Sequence, residues 1–136
     1  SSEKMPIKLK KELSILVVYF ISKRFHEVRI PYSSRELAKI LGVEIPVIRD
    51  IINDLEDMEI INEIANNDDN DDDRYQIAVD PTVLTLDMLL NRIEIKNWAI
   101  YSDVKINEKY QNLLDNIDKD LVYKDSRLVK DIDKTD

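Results

Sequence analysis

The stretch that decides the fold reads Ser33-Ser34-Arg35-Glu36-Leu37-Ala38-Lys39-Ile40-Leu41-Gly42-Val43-Glu44-Ile45-Pro46-Val47-Ile48-Arg49. Ser33 and Glu36 have the spacing of a capping box, in which each side chain satisfies a free backbone donor of the other. Leu37, Ile40 and Leu41 make one apolar face at helical spacing. Gly42 is the only glycine in 136 residues. It stands where a helix needs a left-handed residue to stop. Pro46 suits the first turn of a following helix and biases Ile45 away from helical geometry. Helix, left-handed stop and restarted helix spell a helix-turn-helix, with Gly42 and Pro46 as its turn residues.

The flanks extend the pattern. Leu9, Leu13, Leu16, Val17, Phe20 and Ile21 predict a first helix over 7–25. Residues 28–32 contain Pro31 and read as a short edge strand. Val47, Ile48, Ile51, Ile52, Leu55 and Met58 give the third helix its buried side. Strands are expected over 60–64 and 75–79, joined by the polar run 66–73. This order predicts a mainly α (α+β) chain: a winged helix-turn-helix with a two-stranded wing and a helical C-terminal extension. Residues 1–80 form the winged-helix core with its N-terminal helix, and 81–136 the extension. Val83, Leu86, Leu89, Leu90 and Ile93 suggest a helix packed back on the core, with Trp98 and Tyr101 in a less regular connection. Ile106, Tyr110, Leu113, Leu114, Ile117 and Leu121 suggest a further helix, read first as packing on the chain's own core and second as the seam of a homodimer. Residues 124–136 are expected to fray.

Composition narrows the function. The chain has no cysteine, which removes disulfides, thiolate metal sites and iron–sulfur clusters. Its apolar run over 15–21 is far short of the ~20 residues of a membrane span. Charge is unevenly spread: nine basic and four acidic residues lie in 1–42, against two basic and thirteen acidic in 43–80.

Several pieces resemble a known family: Tyr19-Phe20-Ile21 with Lys23-Arg24-Phe25, Pro31-Tyr32, Glu36-Leu37-Ala38, Ile45-Pro46-Val47-Ile48-Arg49-Asp50-Ile51, Tyr75-Gln76, and Leu84-Thr85-Leu86 ahead of Leu89. Over residues 5–93 they resemble the cytoplasmic C-terminal domain of the YihY/BrkB membrane proteins, whose older label is ribonuclease BN. The resemblance implies a non-catalytic regulatory or protein-interaction domain, itself soluble, held at the cytoplasmic face of the inner (plasma) membrane as part of a longer protein. A more distant resemblance is to Rrf2-type regulators, which implies a free-standing transcription regulator as the alternative, though without cysteine to hold a cluster.

The basic cluster Lys4, Lys8, Lys10 and Lys11 fits the membrane-proximal reading, because cations beside a span favour an anionic leaflet. Glu44, Asp50, Asp54 and Asp57 form an acidic face expected to meet a protein partner. With Arg49 the only cation on the third helix and five aspartates on the wing, DNA is an unfavoured partner, since phosphate affinity comes from cations. His26 is the only histidine, too few for a zinc hydrolase, so neither catalysis nor a cofactor is expected. Asp69, Asp71, Asp73 and Asp80 fall at calcium-loop spacings. Arg74 occupies the position where such a loop needs glycine, and no metal is expected there.

Overall fold

The computed structural model describes residues 5–65, 73–99 and 103–134. Lys4, Asp69, Asp71, Tyr101 and most of the polar run expected at the wing tip lie outside these residues. Among the described residues the chain forms α1 (Ile7–Arg24), α2 (Ser34–Leu41), α3 (Ile45–Asp57), β1 (Ile61–Ile64), β2 (Arg74–Ile77), α4 (Leu86–Ala99) and α5 (Glu108–Leu121). A 3-10 turn follows at Val129–Asp131. This is a winged helix-turn-helix with a two-stranded antiparallel wing and a helical extension.

Local chemistry sets the helix-turn-helix. The Glu36 N–H donates to Ser33 Oγ, and the Ser33 N–H donates to Glu36 Oε1, each at 3.1 Å. Gly42 adopts φ +70° and ψ +31°, and its N–H closes on the carbonyls of Ala38 and Lys39. Glu44 is the extended N-cap of α3. The helix begins at Ile45, one residue before the proline, so Pro46 does not keep Ile45 out of the helix as the sequence suggested. Pro46 costs nothing there, because first-turn N–H groups have no helical acceptor.

The core joins the first four helices and the wing. Val17, Val18 and Ile21 of α1, Leu37 of α2, Ile48, Ile51, Ile52 and Leu55 of α3, and Leu89 of α4 are buried together. The wing pairs Ile61 with Ile77 and Glu63 with Tyr75. Ile61, Tyr75 and Ile77 face the core while Asn62 and Gln76 face solvent, the period-two pattern of a half-buried hairpin.

The structure departs from expectation in four places. Residues 28–32 form no strand; their backbone meets the sheet where the Tyr75 N–H donates to the Tyr32 carbonyl, next to the Ser33–Arg74 bridge. Pro31 has no donor for a ladder, and its carbonyl is taken by the Arg74 guanidinium at 2.7 Å. Secondly, α4 continues through Trp98 rather than breaking into a connection. Thirdly, residues near the C-terminus are anchored: Val129 is fully buried, its N–H bonds the Leu84 carbonyl, and Leu128 bridges Thr85. The charged composition of 124–136 hid this single inward-facing valine. Finally, α5 does not pack on the core; every apolar side chain along it is exposed.

Candidate nucleic-acid interface

The face of α3 opposite its core side exposes Pro46, Arg49, Asn53 and Asp57, with Asp50 half-buried beside them. Arg35 and Lys39 of α2 are exposed next to the start of α3. Between the two helices runs an open groove of about 520 Å³, lined by Arg35, Lys39, Glu44 and Pro46 among others.

Ion pairs sort the acidic residues that the sequence places on α3. Asp54 turns inward onto Lys10 of α1 at 3.0 Å, both largely buried. Asp57 pairs with Lys96 of α4 at 3.3 Å. Glu56 lies toward the wing with Glu63 and Asp73. Burial, then the Asp57 and Asp73 charges, raise the Glu56 carboxyl above the usual range. A hydrogen bond shared with Asp73 raises Glu63. Tyr75 behind them is pushed up to about 12 by burial and by the charges of Asp73, Glu56 and Glu63. Negative charge thus gathers at the wing end of α3. The other end, beside Gly42, carries Arg35 and Lys39, with Glu44 and Asp50 as the acids among them; Arg49 lies between the two ends, near enough to Tyr75 to oppose part of its shift.

Two lysines of the basic cluster near the N-terminus, Lys10 and Lys11, are likewise engaged within the fold. Lys10 is held by Asp54 and by Asn97 at 3.5 Å. Lys11 is salt-bridged to Glu94 and donates to the Tyr123 hydroxyl at 2.6 Å. Burial pulls the Lys11 ammonium down, but Glu94 and Tyr123 together raise it above its ordinary value. Of the three described lysines of the cluster, Lys8 projects outward, 3.7 Å from Glu12. His26 is exposed, edge-on to the Phe25 ring. Among the described residues no group of histidine and carboxylate side chains is arranged to hold a metal ion.

Arg74 is a contributor that sequence reasoning passed over. Its guanidinium reaches both the Pro31 carbonyl and Glu36 Oε1, joining the first wing residue of β2 to the cap of α2. A lone arginine after an aspartate run carries no motif, so only the fold reveals its reach.

No family model and no curated protein matches the chain. Solved structures do share its fold. IscR of T. potens superposes with a TM-score of 0.62 at 14% identity, over 97% of this chain and 88% of that one. CymR, the global cysteine regulator of B. subtilis, gives 0.61 at 14% identity, over 97% and 99%. CymR of Staphylococcus aureus gives 0.59 at 12% identity, over 94% and 98%.

These likenesses correct the family reading. The chain shares its fold with IscR and CymR along almost its whole length, including the part beyond residue 93 where the YihY/BrkB resemblance stops. The residues that carried that resemblance explain the error. Leu37, Ala38, Ile48 and Ile51 are core positions, Glu36 is a cap and Pro46 a first-turn proline, so they report the winged-helix fold rather than one family. The ribonuclease BN label, the role as a domain of an integral membrane protein and the placement at the inner membrane rested on that resemblance and fall with it. Among the described residues no helix is long and apolar enough to cross a membrane. The charge argument against DNA is corrected too. It counted Asp54 and Asp57 into one uniform acidic face, whereas each is paired with a lysine of another helix, in a fold shared with IscR and CymR.

Proposed function

We propose that this chain is a non-catalytic winged-helix transcription regulator that binds duplex DNA, presenting the N-terminal half of α3 to the major groove. The sorting of charge along α3 carries the reading. Arg35 and Lys39 flank the helix start, where cations meet phosphates, and Arg49 and Asn53 project from the exposed face at positions suited to base edges. The internal pairs Lys10–Asp54 and Lys96–Asp57 lower the field that would repel the duplex. The likeness to IscR and CymR supports the same reading. In this proposal residues 1–80 supply the DNA-reading unit, Gly42 and Pro46 set the angle between its two helices, and 81–136 form a helical extension. With no cysteine in the chain, any signal it reads is not held by thiolates.

Enrichment of a random duplex library on the purified chain tests the proposal, followed by titration of the enriched duplex at several salt concentrations. A defined motif is expected. Arg49→Ala should lose about 1–3 kcal/mol of discrimination at one position of it. Lys39→Ala should weaken all duplexes alike and reduce the salt slope by about 1. A library that emerges unenriched would overturn the assignment.

A further inference from the structure

The outer edge of β2 is half used. The Ala78 N–H donates to the Ile60 carbonyl, so in the β1–β2 register Arg74, Gln76 and Ala78 direct their backbone groups toward β1. Tyr75 and Ile77 direct theirs to the other side. There the Tyr75 N–H donates to the Tyr32 carbonyl at 3.0 Å, and Ser33 bridges Arg74 in antiparallel sense. The register so begun sets Tyr32 opposite Tyr75 and Ile30 opposite Ile77. Its next rung is the Ile77 N–H to the Ile30 carbonyl. That carbonyl accepts instead from Arg24 Nη1, at 2.5 Å.

The side chains fit the missing rung. Tyr75 and Ile77 face the core, and this register sets Tyr32 and Ile30 on the same face. Val28 falls opposite Val79, just past the end of β2, which already packs partly on the core. Arg29 and Pro31 fall on the solvent face, opposite the exposed Ala78 and Gln76. The N–H that Pro31 lacks belongs to the side away from β2, where an outermost strand needs no donor. Arg74 holds the Pro31 carbonyl, which points away from β2 in this register, so that contact is compatible with pairing. Tyr32 is already seated, its ring edge-on to Phe20 at 6.1 Å. Ile30 is still 64% exposed, and Val28 is fully exposed.

Arg24, the last residue of α1, holds the segment off. Its guanidinium lies 3.7 Å from the centre of the Tyr32 ring and 3.8 Å from Glu27, and it grips the Ile30 carbonyl. The grip is incomplete, because Arg24 Nε is buried with no hydrogen-bond partner among the described residues. A buried donor left unpaired costs free energy, and so do apolar side chains left in water. We propose that residues 28–32 are a strap that zips onto β2 as a third strand when Arg24 releases the Ile30 carbonyl. One carbonyl changes donors, from Arg24 Nη1 to the Ile77 N–H, and the Ile30 N–H gains the Ile77 carbonyl. Ile30 then covers Ile77. Closed, the strap ties the whole α1–α2 connection to the wing; open, it meets the wing at Tyr32, Ser33 and the Arg74 side chain. The proposal is independent of what the winged helix binds.

The chain has no cysteine, so an engineered pair reports closure without background. Arg29→Cys with Ala78→Cys occupies a non-hydrogen-bonded pair of the closed ladder, where Cα atoms lie about 4.5 Å apart and a disulfide can form. Under mild oxidation the pair should cross-link in the folded full chain, and roughly tenfold faster once Arg24→Met removes the latch. Adding Ile30→Asp should cancel that gain, because a carboxylate resists the core face. Amide exchange reads the same step in the cysteine-free chain. The Ile77 N–H should exchange roughly tenfold more slowly in Arg24→Met than in wild type. The Leu55 amide, on the buried side of α3, should exchange alike in both and so reports an intact core. A folded chain whose cysteine pair never cross-links would overturn the proposal. So would cross-linking that Arg24→Met leaves unchanged or that persists with Ile30→Asp, or an Ile77 amide no slower in Arg24→Met. Should Arg24→Met fail to fold, the cysteine pair with Arg24 in place decides alone: cross-linking supports the strap, and its absence overturns it.

Discussion

Arg74 Nη1 lies 2.5 Å from Glu36 Oε1, so the residue that opens the returning wing strand grips the carboxylate that caps the first helix of the helix-turn-helix. Glu36 in turn bonds the Ser33 N–H, and Ser33 bridges back to Arg74 through the backbone. Wing and helix-turn-helix are joined by this closed loop. Its acid dependence follows from the sign of the Glu36 shift. Burial raises this carboxyl, but the Ser33 N–H and the Arg74 guanidinium outweigh it and hold it below its ordinary value. A lowered folded-state pKa contributes stability that is present above the unfolded pKa and lost as pH falls through the folded one. Denaturant midpoints of the wild-type chain should therefore drop more steeply than those of Glu36→Gln as the solution is taken below about pH 4.3. The difference should stay under about 1 kcal/mol, because the pair is partly exposed to solvent.

The same pair separates positioning from contact. If Arg74 acts by holding the wing, Arg74→Gln should weaken DNA binding while leaving the slope of log K against log salt unchanged. A residue that touched a phosphate would take about 0.9 from that slope. Titrations of one duplex at four or more salt concentrations distinguish the two.

Two left-handed residues should respond in opposite directions. Gly42 has φ +70°, and a Cβ built there meets nothing within 4 Å. The cost of Gly42→Ala is thus conformational alone, about 1–2 kcal/mol, and Gly42→Asn should recover part of it. Glu59, just beyond the α3 cap, sits at φ +58° with a side chain. Glu59→Gly should raise the denaturant midpoint, by less than 1–2 kcal/mol, since glycine also gains freedom in the unfolded chain, by about 0.5–1 kcal/mol. A lower midpoint for Glu59→Gly would mean that the glutamate side chain contributes more than its backbone strain.

Tyr75 offers a spectroscopic check on the acidic end of α3. Burial and the Asp73, Glu56 and Glu63 charges raise its phenol to about 12. A raised folded-state pKa favours the protonated form, so the stability it confers is complete below the ordinary tyrosine value near ~10 and is lost as pH rises through the folded value. Tyrosinate absorbance should show a late phase near pH 12 that Tyr75→Phe removes. The wild-type chain should also lose more stability than Tyr75→Phe across that window.

The parts of the fold that were legible in the sequence are those set by local chemistry. Ser33, Glu36, Gly42 and Pro46 each answer a backbone need within a few residues, and the periodicity of Ile48, Ile51, Ile52 and Leu55 names the buried side of α3. What escaped depends on contacts distant in the chain. Asp54 reads as a surface acid until α1 brings Lys10 to it. Val129 reads as part of a frayed tail until Leu84 accepts its N–H. The apolar stripe of α5 looks the same in sequence whether it faces a core or a second molecule. The family was misjudged for the same reason, since local caps and core positions are common to many winged helices.

The Lys10–Asp54 pair makes the last prediction. Its side chains are 15% and 22% exposed, and it ties α1 to the middle of α3. A largely buried pair gains Coulomb energy but has already lost hydration, so its net worth and the cost of breaking it differ. Lys10→Met alone leaves the Asp54 carboxylate beside the core without its counter-charge. Asp54→Leu alone strands the Lys10 ammonium, which among the described residues retains the Asn97 contact at 3.5 Å. Each single variant should therefore lose about 1–3 kcal/mol by denaturant unfolding. The double variant should lie close to wild type, because it removes both charges together. Single losses that simply add in the double variant would show that the two side chains act independently, and that another contact holds α1 against α3.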